Sequence, residues 1–164
     1  SCFEYGLSGL KYKEIPPNAP LLPKDAYSAS KAAATIAAIT LAVEKNLDLT
    51  VIRPFHVYGE GEDNQRFWPT LVSSSKKCKN LEMTMGEQVR DFQYVKETVN
   101  DIIYFLHKGS PLGKPTIVNI GSGKPKTLLQ FANEEWKRLE SKGKILNGII
   151  PYRDNEIMRF VPKL

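Results

Sequence analysis

Tyr27 and Lys31 stand four residues apart in the stretch DAYSASKAAA, residues 25–34. On a helix that separation puts both side chains on one face, so an ammonium can lie beside a phenol and stabilise its phenolate. A free tyrosine titrates near about pH 10, and a cation in a partly desolvated site brings a phenol toward proton transfer near neutrality. Taken alone the pair is a weak signal, because a surface aromatic beside a lysine is the ordinary outcome of this spacing. Arg90 and Arg153, the latter followed three residues on by Glu156, read by themselves as solvated surface charges. His56, in RPFHVYG, reads by itself as a core imidazole satisfied by a neighbour. Gly121-Ser122-Gly123-Lys124-Pro125-Lys126-Thr127 is too short for a Walker loop and carries a proline where an amide would be wanted, so it reads as a strand-to-helix turn without a phosphate. No metal-ligating set is assigned.

The elements that must position these groups follow from the punctuation of the chain. Pro16, Pro17, Pro20 and Pro23 make Ile15–Lys24 an extended loop. Asp25 then serves as the N-cap of a helix from Ala26 to about Lys45, closed by Asn46. Leu49–Gly59 crowds Val, Ile and Phe together as a buried strand running to a glycine turn. A polar loop, a helix around Phe67–Ser75 and a short strand at Leu81–Met85 follow. Val95, Val99, Ile102, Ile103 and Leu106 recur at helical spacing, with Gly109 as a stop. TIVNIGSG is a strand and turn, and Thr127–Leu139 a further helix with Thr127 and Gln130 as capping partners. Helices alternating with strands predict an α/β class with a largely parallel sheet.

Composition bounds what such a chain can be. Its 164 residues are one domain's worth, and 41% hydrophobic with 25% charged residues is an ordinary globular balance. The apolar run Ala32–Val43, interrupted by Thr35 and Thr40, falls short of the roughly 20 residues of a membrane span, so no membrane partner is expected. No basic-then-apolar stretch is visible at Ser1-Cys2-Phe3-Glu4, so no secretory signal is expected, and two cysteines, Cys2 and Cys78, suit a reducing cytoplasm. The net charge of +5 is scattered rather than gathered on one face, and no row of aromatics is spaced to stack bases, so no nucleic-acid partner is expected. A smaller anion such as a pyrophosphate suits that charge.

Five segments occur in one order: Ser1-Cys2-Phe3-Glu4-Tyr5-Gly6, Tyr27-Ser28-Ala29-Ser30-Lys31, Arg53-Pro54-Phe55-His56-Val57-Tyr58-Gly59, Val89-Arg90-Asp91-Phe92-Gln93-Tyr94-Val95 and Asn119-Ile120-Gly121-Ser122-Gly123. In these motifs, across nearly its whole length, the chain resembles the extended short-chain dehydrogenase/reductases, the NAD(P)-dependent epimerases, dehydratases and reductases of nucleotide-diphosphate sugars. The resemblance implies the C-terminal part of a Rossmann-type doubly wound parallel sheet, residues 1–58 and 94–120, with a smaller α/β substrate domain from 59–93 and 121–164. It implies NAD or NADP as cofactor and a nucleotide-diphosphate sugar as partner. Ser1 would hydrogen-bond the reacting sugar oxygen, Tyr27 would move the proton, and Lys31 would hold the nicotinamide ribose. Pro54, Phe55 and Val57 would line the nicotinamide; His56, where many relatives carry asparagine, would touch the sugar nucleotide; Arg90 and Arg153 would bind its pyrophosphate. Homodimerisation through the Ala26–Lys45 and Val95–His107 helices is a further expectation of the same kind.

The resemblance also has gaps. The Gly-x-x-Gly-x-x-Gly turn that receives the dinucleotide phosphates in that family is nowhere in the sequence. The expectation is therefore of an incomplete, inactive C-terminal portion of a longer enzyme. Cys2 and Phe3 stand where the 4,6-dehydratases of the family keep Asp-Glu, which favours a 4-epimerase or 4-keto reductase, with a dehydratase or a non-catalytic binding module of the same fold as alternatives.

Overall fold

In the computed structural model, which describes residues 1–164, two 3-10 turns (Cys2–Tyr5 and Leu7–Lys11) precede the proline-rich loop and the first long helix, α1 (Ala26–Glu44). The helix begins where the sequence sets its cap: the Asp25 carboxylate accepts from the Ser28 amide at 2.8 Å, and the Ser28 hydroxyl lies 3.2 Å from the Asp25 amide. It ends as Asn46 turns into the left-handed region at φ 52°. α1 is longer than the Ala32–Val43 run suggested. By length and composition it is apolar enough to cross a bilayer, so the reading of that run does not exclude a span. Its capped first turn and its packing on the Cys2–Tyr5 turn are those of a helix lying on a folded domain.

The expected single strand Leu49–Gly59 is two. β1 (Thr50–Pro54) pairs in parallel with β6 (Thr116–Ile120), and β2 (His56–Tyr58) pairs in parallel with β5 (Phe92–Tyr94). The chain changes partner at Phe55, which is buried and whose amide bonds the Ile120 carbonyl at 3.1 Å. α2 (Phe67–Lys76) leads to β3 (Leu81–Met83), paired with β8 (Ile145–Asn147), while β4 (Val89–Arg90) lies between β7 (Lys126–Thr127) and β9 (Arg159–Phe160). α3 (Val95–Lys108), stopped at Gly109, packs on β1 and β5, and α4 (Leu128–Arg138) starts at the Thr127–Gln130 capping box. The α/β class with mostly parallel pairing is thus as expected.

Two apolar clusters hold these layers together. One gathers Cys2, Tyr5, Ile15, Ala19, Phe55 and Phe160; the other gathers Leu71, Leu81, Met83, Ala132 and Trp136. Phe160, far along the chain, packs with residues near its start, which ties β9 to the segment that carries Ser1. The outer faces of α1 and α3 remain apolar and exposed at Ile36, Leu41, Val43, Ile103 and Leu106. Both tryptophans pack: Trp68 donates to Glu135 at 2.8 Å and Trp136 to the Gly143 carbonyl at 3.0 Å.

Candidate functional site

Tyr27 and Lys31 meet as their helical spacing requires. The Lys31 ammonium lies 5.7 Å from the centroid of the Tyr27 ring, and both side chains are exposed on the first two turns of α1. Phe3 stands edge-on to Tyr27 with ring centroids 6.4 Å apart, which brings the Ser1 segment to the same end of the helix. The Ser1 hydroxyl accepts from the Phe3 amide at 3.4 Å, capping the Cys2–Tyr5 turn.

What holds that turn in place is a buried polar network most of whose members lie far apart along the chain. Arg53, Glu4 and Tyr5 are almost wholly inaccessible. The Glu4 carboxylate accepts from Arg53 Nε at 3.1 Å, from the Thr35 hydroxyl at 2.8 Å and from the Ser1 nitrogen at 2.8 Å. Arg53 Nη1 donates to the Tyr5 hydroxyl at 2.9 Å and to the Pro17 carbonyl at 3.0 Å; Tyr5 in turn donates to Asn119 at 2.7 Å. Such a network is stable only when every member is satisfied, and it locks the Ser1 turn, α1, β1 and β6 into one geometry.

Two adjoining cavities lie beyond it. The smaller, about 60 Å³, is lined by Phe3, Asp25, Ser28 and Phe160; the larger, about 150 Å³, is lined by Tyr58, Phe67, Phe92 and Phe131. His56 and Arg90 line both, so they form the joint. His56 Nδ1 is buried without a hydrogen-bond partner, and the ring stands edge-on to Phe92 and Phe160. Burial, reinforced by the guanidiniums of Arg90 and Arg66, pushes the imidazole down to about pKa 3, so it is neutral in any ordinary buffer. Arg90 is aimed by three acceptors: Glu156 Oε1 at 3.3 Å, the Ile157 carbonyl at 2.5 Å and the Val89 carbonyl at 2.9 Å. Burial lowers its pKa while Glu156 opposes that shift.

Beside Arg90, Asp91 is fully buried and accepts from the Ser122 amide at 2.8 Å, the Gly123 amide at 2.9 Å and the Ser122 hydroxyl at 2.5 Å. The Gly121–Gly123 turn therefore spends its amides on Asp91, in keeping with its reading as a turn rather than a phosphate loop. A Cβ on Gly121 would lie 2.8 Å from that carboxylate, which accounts for glycine there. Of the other expected residues, Pro54 and Phe55 lie at the strand switch, and Val57 lines the larger cavity. Arg153 is exposed on the loop before β9 and lines neither cavity; its neighbour Glu156, not Arg153 itself, reaches the site. Ser1, Tyr27 and Lys31 border the smaller cavity through their neighbours Phe3 and Ser28 without lining it. Glu4, Arg53 and Asp91 were missed: each stood inside a quoted motif, but their partners lie 31 to 49 residues away.

Comparison with known proteins accords with this architecture. A sequence model described as the NAD dependent epimerase/dehydratase family matches residues 1–121. A CDP-abequose synthase from Salmonella muenchen is 31% identical over 118 residues, covering 71% of this chain and 40% of that protein. The fold is similar to that of a dTDP-glucose 4,6-dehydratase from Bacillus anthracis in complex with NAD, with TM-score 0.79 and 24% identity over 99% of this chain and 50% of that one. It is equally similar to a UDP-N-acetylglucosamine 4-epimerase from Methanobrevibacter ruminantium in complex with UDP-N-acetylmuramic acid, with TM-score 0.79 and 23% identity over 90% of this chain and 47% of that one. The chain thus spans about half the length, or less, of the proteins it matches, and its α/β layers are of the Rossmann type those structures share.

Proposed function

Because the chain belongs to the NAD dependent epimerase/dehydratase family, we propose that the whole protein is an NAD(P)-dependent oxidoreductase or isomerase acting at C4 of a nucleotide-diphosphate sugar. The observation that carries this reading is the joint between the two cavities. Arg90, fixed by Glu156 and the Ile157 carbonyl, offers a guanidinium at the one place that borders both spaces, as a pyrophosphate linking a sugar to a nucleoside would require. On this reading the sugar enters the smaller cavity toward Ser1 and Tyr27, the nucleoside enters the larger, and the neutral His56 hydrogen-bonds the ligand between them. Arg153, exposed on the loop that carries Glu156, would meet the diphosphate only from solvent.

The exposed phenol and ammonium of Tyr27 and Lys31 suit a cofactor that approaches from outside the core, with Lys31 on the nicotinamide ribose and Pro54, Phe55 and Val57 along the ring. The dinucleotide, when bound, supplies or accepts the hydride. In the reductive direction the Tyr27 hydroxyl gives its proton to the C4 carbonyl oxygen as the carbon takes the hydride, and the Ser1 hydroxyl donates a hydrogen bond to the same oxygen. Lys31 favours the phenolate that remains.

A water elimination would need further acid and base groups beside Ser1. The following residue, Cys2, is buried and its thiol is pushed up to about pKa 12, and Phe3 has no proton to offer. This favours 4-epimerase or 4-keto reductase chemistry over dehydration. The exposed apolar faces of α1 and α3 support pairing of two copies. The test is to incubate the whole protein with a 4-keto nucleotide sugar and NADPH and follow nicotinamide absorbance: oxidation abolished by Tyr27→Phe supports a reductase, whereas no oxidation with interconversion of C4 epimers supports the epimerase. Absence of both reactions in a protein that binds NADPH refutes the proposal.

A further inference from the structure

On the reading that a nucleoside diphosphate occupies the joint, we propose that the larger cavity takes an aminopyrimidine base, cytosine, and that Glu62 reads its exocyclic amine. The cavity's volume of about 150 Å³ is of the size that encloses a single six-membered ring. Its walls suit a flat π-system: Phe92 stacks on Phe131 at 4.0 Å between centroids, and Tyr58 stands edge-on to Phe131 at 4.8 Å. Stacking of this kind accepts any base, so selectivity must come from polar atoms.

Two polar atoms in the molecule are buried without a partner, His56 Nδ1 and Glu62 Oε2, and both residues line this cavity. His56 belongs also to the smaller cavity; Glu62 does not. The other Glu62 oxygen is engaged by Arg66 Nε at 3.3 Å, which holds the carboxylate in place and leaves Oε2 free. An ionised carboxylate can only accept, so the ligand must bring a donor to that point. The N4 amine of cytosine is such a donor, and a carboxylate is its natural reader. Uracil and thymine carry a carbonyl oxygen in place of that amine and could offer Oε2 only their N3–H, with the repelling carbonyl oxygen beside it. A purine adds a second ring to a space sized for one. A ribose hydroxyl could also donate to Oε2, but it is common to all nucleotides and would give no preference among bases.

Calorimetric titration of the whole protein with CDP, UDP and dTDP separates these cases without any variant. CDP is expected to bind at least about tenfold tighter than UDP or dTDP, the penalty for leaving a buried charged acceptor unpaired. Glu62→Gln, whose amide can both donate and accept, should narrow the ratio to within about threefold. Equal affinities for the three diphosphates would overturn the assignment of the base while leaving the nucleotide reading intact. A cytosine preference that survives Glu62→Gln would overturn Glu62 as its reader. No binding of any diphosphate would instead sink the nucleotide reading on which this inference rests.

Discussion

Lowering the pH puts a proton on the imidazole of the unfolded chain well before it puts one on His56 in the folded protein, because burial and the guanidiniums of Arg90 and Arg66 push the folded value down from 6.5 to about 3. The unfolded state then binds more protons than the native state, so stability falls as pH drops below about 6.5 and ceases to fall for this reason near pH 3. At about 1.4 kcal/mol for each pH unit between the two values, the full cost is several kcal/mol; between pH 7 and pH 4.5 it is about 2–3 kcal/mol. That is a large share of an ordinary domain's stability of about 5–15 kcal/mol. The perturbation is His56→Asn, which keeps a polar side chain of similar reach and cannot take a proton in this range. Urea unfolding at both pH values gives the free energies by linear extrapolation. The wild-type chain should lose about 2–3 kcal/mol more than the variant over that interval, since every other group is common to both. Equal losses would refute the reasoning, and would mean that water or a neighbouring acceptor compensates the imidazolium in place.

The remaining expectations concern the site and its supports. Tyr27→Phe should lower turnover of the whole protein by about 10²–10⁴-fold with little change in KM, the usual span for removing a positioned proton donor. Arg90→Lys should weaken diphosphate binding by about tenfold or more, because a point charge replaces the fork that Glu156 and Ile157 orient; calorimetry with CDP checks this. Asp91→Ala should cost about 3 kcal/mol or more of unfolding free energy, since two amides and a hydroxyl of the Gly121–Gly123 turn lose their shared acceptor. Glu4→Gln should cost about 3–5 kcal/mol by leaving Arg53 charged and buried, while removing both groups at once should cost less than the sum.

Local physics was legible where it was decided locally. Asp25, Thr127 and Gly109 mark helix ends because each cap acts within a few residues, and α1 and α4 begin where those residues said they would. The two-residue strands β4, β7 and β9 were not legible: too short to show a period, they exist only because Val89 finds Thr127 on one side and Arg159 on the other. The same holds for the site. Tyr27 and Lys31 announce themselves by a helical interval, and the family motifs pointed to Arg90 and His56. Glu62 did not stand out, because a glutamate in a polar loop looks like a solvated charge until its free oxygen is found walled in. Glu4 and Asp91 were hidden for the opposite reason, in that they are held by residues distant in sequence, Thr35 and Arg53 for Glu4 and the Ser122 and Gly123 amides for Asp91.

If the proposed function holds, one ligand spans both cavities with its diphosphate at the joint of His56 and Arg90. A crystal structure of the whole protein with a nucleotide-diphosphate sugar tests it directly. Phosphate oxygens should lie within hydrogen-bonding reach of Arg90, the sugar's C4 oxygen should face Ser1 and Tyr27, and the base should lie among Tyr58, Phe67 and Phe92. A bound ligand whose diphosphate lies away from Arg90, or whose sugar points away from Tyr27, would contradict it.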